Sequence, residues 1–161
     1  MIDGEDNVIV QYFMADVEEN YSKTQSAFLS CTHTALYDNR VWFTGAKGDY
    51  GNRVWYSNAT HDAYYPELNY IVVGSNDTDA IGLCNLGEFL GIVKQPSAVE
   101  TTVFLAYPTT FETESAYACK NYVSGVGAVS SLSFVNTENE TLFLANDGIY
   151  GLTTNSVKNR S

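Results

Sequence analysis

The sequence predicts an all-β fold built from repeated four-stranded antiparallel units, on three observations. The chain of 161 residues is rich in aromatics, with twelve Tyr, eight Phe and two Trp, and such side chains favour pleated, half-buried surfaces. Its apolar runs are strand-sized and are punctuated by Gly, Asn, Asp and Pro. The same order of runs and turns recurs about every 48 residues.

The elements follow in chain order. Residues 8–14 (Val8-Ile9-Val10-Gln11-Tyr12-Phe13-Met14) and 26–30 read as two strands flanking an acidic loop, with a short helix over 16–24 as the alternative; residues 1–31 are thus half a unit. The first whole unit, 32–75, opens with Thr34-Ala35-Leu36-Tyr37, turns at Asp38-Asn39 and continues as Arg40-Val41-Trp42-Phe43-Thr44. A Gly-rich loop over 45–51 leads to a third strand over 52–57, and a polar loop leads to a fourth, Tyr70-Ile71-Val72-Val73-Gly74.

The second unit, 79–124, has strands at 80–84, 89–93, 101–106 and 117–123, with Pro96-Ser97 breaking the chain between the second and third. The third, 127–161, opens at 128–134, turns at Thr137-Glu138-Asn139 and gives strands at 142–145 and 148–153 around the hairpin signal Asn146-Asp147-Gly148. It is expected to lack its fourth strand. Equivalent second strands begin near Val41, Phe89 and Leu142.

Four short strands per unit at this period suggest blades of a β-propeller, with a β-sandwich as the alternative. A propeller removes its sheet edges only by closing a ring. Two whole and two partial units do not close one, so the expectation is a fragment of a longer protein, exposing edges that favour self-association.

Composition excludes several function classes. No apolar run approaches the roughly 20 residues of a membrane-spanning helix. The acidic start, Met-Ile-Asp-Gly-Glu-Asp-Asn, has neither the basic nor the apolar part of a secretory signal, and export is not expected. A net charge of −11 repels phosphate backbones, so strong direct nucleic-acid binding is not expected. Cys31, Cys84 and Cys119 lack ligand spacing and sit in apolar runs, as buried thiols do in a reducing compartment.

No catalytic constellation emerges, and no enzyme, cofactor or metal is expected. His33 and His61 lie apart, without acids at ligand spacing, and no serine occupies a Gly-x-Ser-x-Gly turn. A glycosidase would need paired carboxylates, but Asp38, Asp49, Asp62, Asp77, Asp79 and Asp147 all fall in turns, where Asp bonds the local backbone. The recurrent Ser-x-Asp-x-Gly-x-Thr-Trp box of propeller sialidases is missing. Asn76-Asp77-Thr78-Asp79 lacks the framing Gly and Glu of a calcium loop. Gly45, Gly48 and Gly51 lack the following helix and the Gly-Lys-Ser/Thr of a phosphate cradle. Five glycosylation sequons, at Asn20, Asn58, Asn76, Asn139 and Asn159, are read as chance in a chain rich in Asn, Ser and Thr. The one ligand or partner contact suggested is the pair Tyr64 and Tyr65, whose rings could stack on sugars within an Asp- and Asn-rich loop. A carbohydrate-binding module is therefore the alternative reading, and a glycoside hydrolase the third.

A family resemblance sharpens the leading one. The runs Asn39-Arg40-Val41-Trp42-Phe43-Thr44-Gly45, Asn52-Arg53-Val54-Trp55-Tyr56-Ser57 and Tyr64-Tyr65-Pro66-Glu67-Leu68-Asn69-Tyr70, with Gly87-Glu88-Phe89-Leu90-Gly91-Ile92-Val93-Lys94 and Asp147-Gly148-Ile149-Tyr150, resemble a phage virion family. Its members are the packaged-DNA stabilisation, or tail accessory (head-completion), β-propeller proteins. The likeness spans roughly residues 35–161, in turns and strands, and carries over no functional residue. It implies a virion protein made in the bacterial host's cytoplasm, contacting portal, adaptor or tail proteins and helping to retain the genome. Family chains begin before Met1 and continue past Ser161, which agrees with a fragment.

Overall fold

The computed structural model describes residues 30–161 apart from Ala63, Tyr64 and Glu67. The half unit expected over 1–31 thus lies almost wholly outside the described residues, as does Tyr64. The described chain forms three four-stranded antiparallel sheets, each a meander of consecutive strands. The first contains β1 (His33–Tyr37), β2 (Arg40–Thr44), β3 (Arg53–Tyr56) and β4 (Tyr70–Val72). The second contains β5 (Ala80–Leu86), β6 (Phe89–Lys94), β7 (Thr101–Phe111) and β8 (Glu114–Ser124). The third contains β9 (Val135–Asn136), β10 (Thr141–Ala145), β11 (Gly148–Leu152) and β12 (Val157–Asn159). No helix among the described residues is long and apolar enough to cross a membrane.

Turn chemistry sets the registers. Asp38 and Asn39 take φ of 51° and 56°, the left-handed pair that a two-residue hairpin with matching strand twist requires. Tyr37 consequently pairs with Arg40 and His33 with Thr44.

The middle sheet is buried on both faces. Strand alternation sends Leu90, Ile92, Phe104 and Ala106 into a cluster with Tyr37, Trp42, Val54, Tyr56 and Val73 of the first sheet. Val93, Val103 and Leu105 go the other way, onto Phe143, Ala145 and Leu152 of the third. Within the first cluster Trp42 lies 4.7 Å from both the Tyr56 and Tyr117 rings, and its indole donates to the Tyr37 carbonyl at 3.0 Å. Aromatic packing of this kind adds about 0.5–1.5 kcal/mol per pair beyond area burial.

Polar ties lock the sheets together. Lys94, fully buried at the end of β6, donates from Nζ to the Ser75 carbonyl at 2.9 Å and to Glu100 Oε2 at 3.2 Å. Glu100 also accepts from the Ser75 hydroxyl at 2.9 Å and the Thr78 hydroxyl at 3.2 Å. The linker between the first two sheets is thereby pinned to the second. Gly127 sits where an added Cβ would lie 2.5 Å from Gln95 C and Pro96 N, and this backbone contact lets Ala128 N reach the Lys94 carbonyl at 3.0 Å.

Three parts of the sequence reading are corrected. Residues 128–134 do not form one strand: the Ser130 side chain accepts from Leu132 N, and a 3₁₀ turn occupies Ser131–Ser133. Serine hydroxyls there compete with the sheet ladder, leaving β9 only two residues long. The third sheet is four-stranded, because β12 pairs with β11. Finally, β7 and β8, eleven residues each, form a hairpin that runs past Pro108. Pro108 pairs with Tyr117, beyond the last β6 partner at Ala106. With no strand on its other side among the described residues, its missing N–H costs no ladder bond there.

Candidate functional site

Of the tyrosine pair singled out in the sequence, Tyr64 lies outside the described residues and Tyr65 is not exposed. Tyr65 is only 1% exposed and packs with Trp55 and Ala46, its ring 5.3 Å from that of Phe43. Burial, with the Asp62 charge adding to it, pushes its hydroxyl well above the usual tyrosine range. The residue is a core anchor. It draws the loop over the side of the first sheet that faces away from the second.

The remaining candidates are dispersed. Both ring nitrogens of His33 face carbonyl oxygens, Leu83 O at 3.1 Å and Ser131 O at 3.2 Å, and the ring meets Phe134 edge-on at 5.2 Å. His33 thus joins β1 to β5 and to the turn before β9, linking all three sheets. His61 is exposed in the loop. Asp79 is packed against Gly51, its carboxyl raised by burial against the lowering pull of Lys47 and Lys94. In the Gly-rich loop, a carboxylate therefore stands beside the backbone that a phosphate cradle would offer to an anion. Asp147 accepts from the Tyr150 hydroxyl at 3.0 Å. Cys84 is buried, which pushes its thiol up to about 12, away from nucleophilic thiolate chemistry. Among the described residues no group of three or more His, Cys, Asp or Glu could hold a metal ion.

What the fold does assemble is a cleft of about 640 Å³ between the first two sheets. The β1–β2 turn brings Asp38, the β5–β6 turn brings Glu88 after Asn85, and Phe89, Tyr107 and Pro108 border the cleft from β6 and β7, the Phe89 side chain packing on the third-sheet side of the second sheet. The Phe89 and Tyr107 rings meet edge to face with centroids 6.2 Å apart. The cleft is held by side chains on both sheets. Tyr117 on β8 donates its hydroxyl to Asp38 Oδ2, Tyr37 donates to the Glu88 carbonyl at 2.5 Å, and Asn85 Nδ2 donates to the Leu36 carbonyl at 2.9 Å. Burial raises the Tyr37 hydroxyl, and the Asp38 and Glu88 charges raise it further, so both carboxylates act on this rim. Burial also lifts the Tyr117 hydroxyl, reinforced by its bond to Asp38.

Sequence reasoning noted both turns as separators and missed that they share a rim. The signal was present: Asp38-Asn39 and Gly87-Glu88 each join the first and second strands of neighbouring units, so a repeating architecture places them side by side. In comparisons with known proteins, no family model and no curated protein matches the chain.

Proposed function

We propose that the chain is a non-enzymatic structural module of a phage or prophage virion, an arc of a β-propeller in the neck or tail region that acts through protein–protein contacts and contributes to genome retention. The resemblance over residues 35–161 supplies the family. One structural observation carries the mode of action: the outward face of the third sheet bears exposed apolar side chains beside the Glu140–Arg160 ion pair.

Since Phe143 and Ala145 point at the second sheet, alternation turns Leu142 and Leu144 the other way. The register places Val135 opposite Leu142 and Ile149 opposite Leu144, on that same outward face. Val135, Leu144 and Ile149 are 57%, 44% and 45% exposed. The middle sheet buries residues of this type on both sides, so a further protein surface packed here would continue the stack. The net charge of −11 suits contact with proteins better than direct contact with the genome.

Mass spectrometry of purified particles, with antibody labelling by electron microscopy, tests the assignment. The protein is expected in the particle at the portal or tail end. Its confinement to the non-virion fraction of the lysate would refute the proposal.

A further inference from the structure

We infer that the tip of the β7–β8 hairpin of one copy docks on the outward face of the third sheet of another, so that copies join head to tail. This rests on the reading of that face as a protein-contact surface and names its occupant. The hairpin continues past Ala106, the last β7 residue paired with β6, to Phe111, forming an arm of about 17 Å at the usual strand rise. Phe111 is 72% exposed, and Glu112 and Glu114 are exposed beside it. Glu112 holds φ at 57°, a conformation that suits Gly or Asn far better than Glu. A strained acid and a bare ring at the end of a projecting arm cost the isolated chain stability that a partner surface would offset.

The two surfaces match in kind and in order. Phe111 and Glu114 are cross-strand partners, so one face of the tip carries a ring beside a carboxylate. On the third sheet the Arg160 amide donates to the Ile149 carbonyl at 2.7 Å, continuing the β11–β12 register and setting an aliphatic side chain beside a guanidinium on the outward face. Lys158, opposite Gly151, adds a second cation there. Glu140 engages Arg160 through Nε and Nη2, which leaves Nη1 to donate. Among the described residues Glu112, Glu114 and Lys158 form no ion pair.

Charge selects the hairpin tip as the occupant. The chain holds eight basic residues against nineteen acidic ones, yet the β12 side of this face presents Arg160 and Lys158 with Glu140, two cations to one acid. Two such faces pressed together would bring cations toward cations, whereas the tip brings carboxylates. The arm of the same chain stands with the second sheet, on the opposite side of the third, so the contact joins different copies. It is heterologous, because the two surfaces differ.

Light scattering coupled to size exclusion tests this with two variants, Phe111→Asp for the tip and Leu144→Asp with Ile149→Asp for the face. All three positions are exposed, so both variants should keep the native circular dichroism spectrum. Each alone is expected to associate at least about tenfold more weakly than the native chain, the order set by losing the burial of one large apolar side chain. Their equimolar mixture is expected to form a 1:1 dimer and nothing larger, because the intact tip of one meets the intact face of the other. Native-like association of Phe111→Asp would overturn docking of the arm while leaving the face as a contact surface. A mixture that stays monomeric, a face variant that associates like the native chain, or a native chain monomeric at every concentration would overturn it too. These results are independent of the particle assignment, which mass spectrometry of virions tests separately.

Discussion

Replacing His33 with alanine removes a ring that touches all three sheets. Its Nδ1 and Nε2 face the Ser131 and Leu83 carbonyls at 3.2 and 3.1 Å, and its edge contact with Phe134 spans 5.2 Å. A neutral imidazole donates from one nitrogen, and a net hydrogen bond contributes about 1 kcal/mol, with a similar cost for a carbonyl left without a partner. Losing the aromatic contact adds about 0.5–1 kcal/mol. The sum is about 2–3 kcal/mol, which for a chain of this length lowers Tm by about 4–12 °C. Urea titration followed by tryptophan fluorescence measures it, with the transition midpoint falling and its slope unchanged. His61→Ala is the control, since that side chain is exposed and the change should stay within about 0.5 kcal/mol. Equal effects from the two histidines would refute the claim that His33 links the three sheets.

Other perturbations follow from single contacts. Burial alone would raise the Glu100 carboxyl, but hydrogen bonds from Ser75 and Lys94, with the Lys94 charge, outweigh it and hold the group below its ordinary 4.5. A depressed carboxylate contributes stability that is complete above about pH 4.5 and fades as pH falls below it. Thermal melts from neutral to acid pH should therefore show a smaller acid loss in Glu100→Gln than in the native chain; parallel curves would contradict the linkage. At Gly82 an added Cβ would lie 2.1–2.7 Å from atoms of the Phe134 ring, which is itself stacked on Phe143 with centroids 5.7 Å apart. Gly82→Ala should cost about 1–3 kcal/mol by overpacking, seen as a lower urea midpoint, and a neutral result would mean that the ring has room to move. Gly127→Ala should destabilise similarly, because its new methyl meets backbone at Gln95 and Pro96, which cannot swing aside.

Much of the fold was legible because local and long-range signals agree. Arg40–Thr44 was read to the residue: its alternation places Trp42 in the core, and Asp38-Asn39 is a turn by conformation as well as by composition. The Asn146-Asp147-Gly148 hairpin was equally plain. Where the reading failed, tertiary structure decided. Residues 128–134 look strand-like, yet serine hydroxyls bond the local backbone. The strand expected over 101–106 runs on through Pro108, where β7 has no second neighbour among the described residues. Val157–Asn159 is too short and polar to announce a strand, and it forms one because β11 offers an open edge. Tyr65 was not legible as a buried residue. Composition puts a tyrosine in a polar loop, and only the path of that loop over Trp55 decides that its ring is buried.

The account turns on the open face of the third sheet as a protein-contact surface, and multi-angle light scattering across a concentration series tests that most directly. The native chain should show concentration-dependent association. Leu144→Asp combined with Ile149→Asp, both on exposed positions, should abolish it while leaving the circular dichroism spectrum intact. A native chain that stays monomeric at every concentration, or association undiminished in the double variant, would contradict the assembly role.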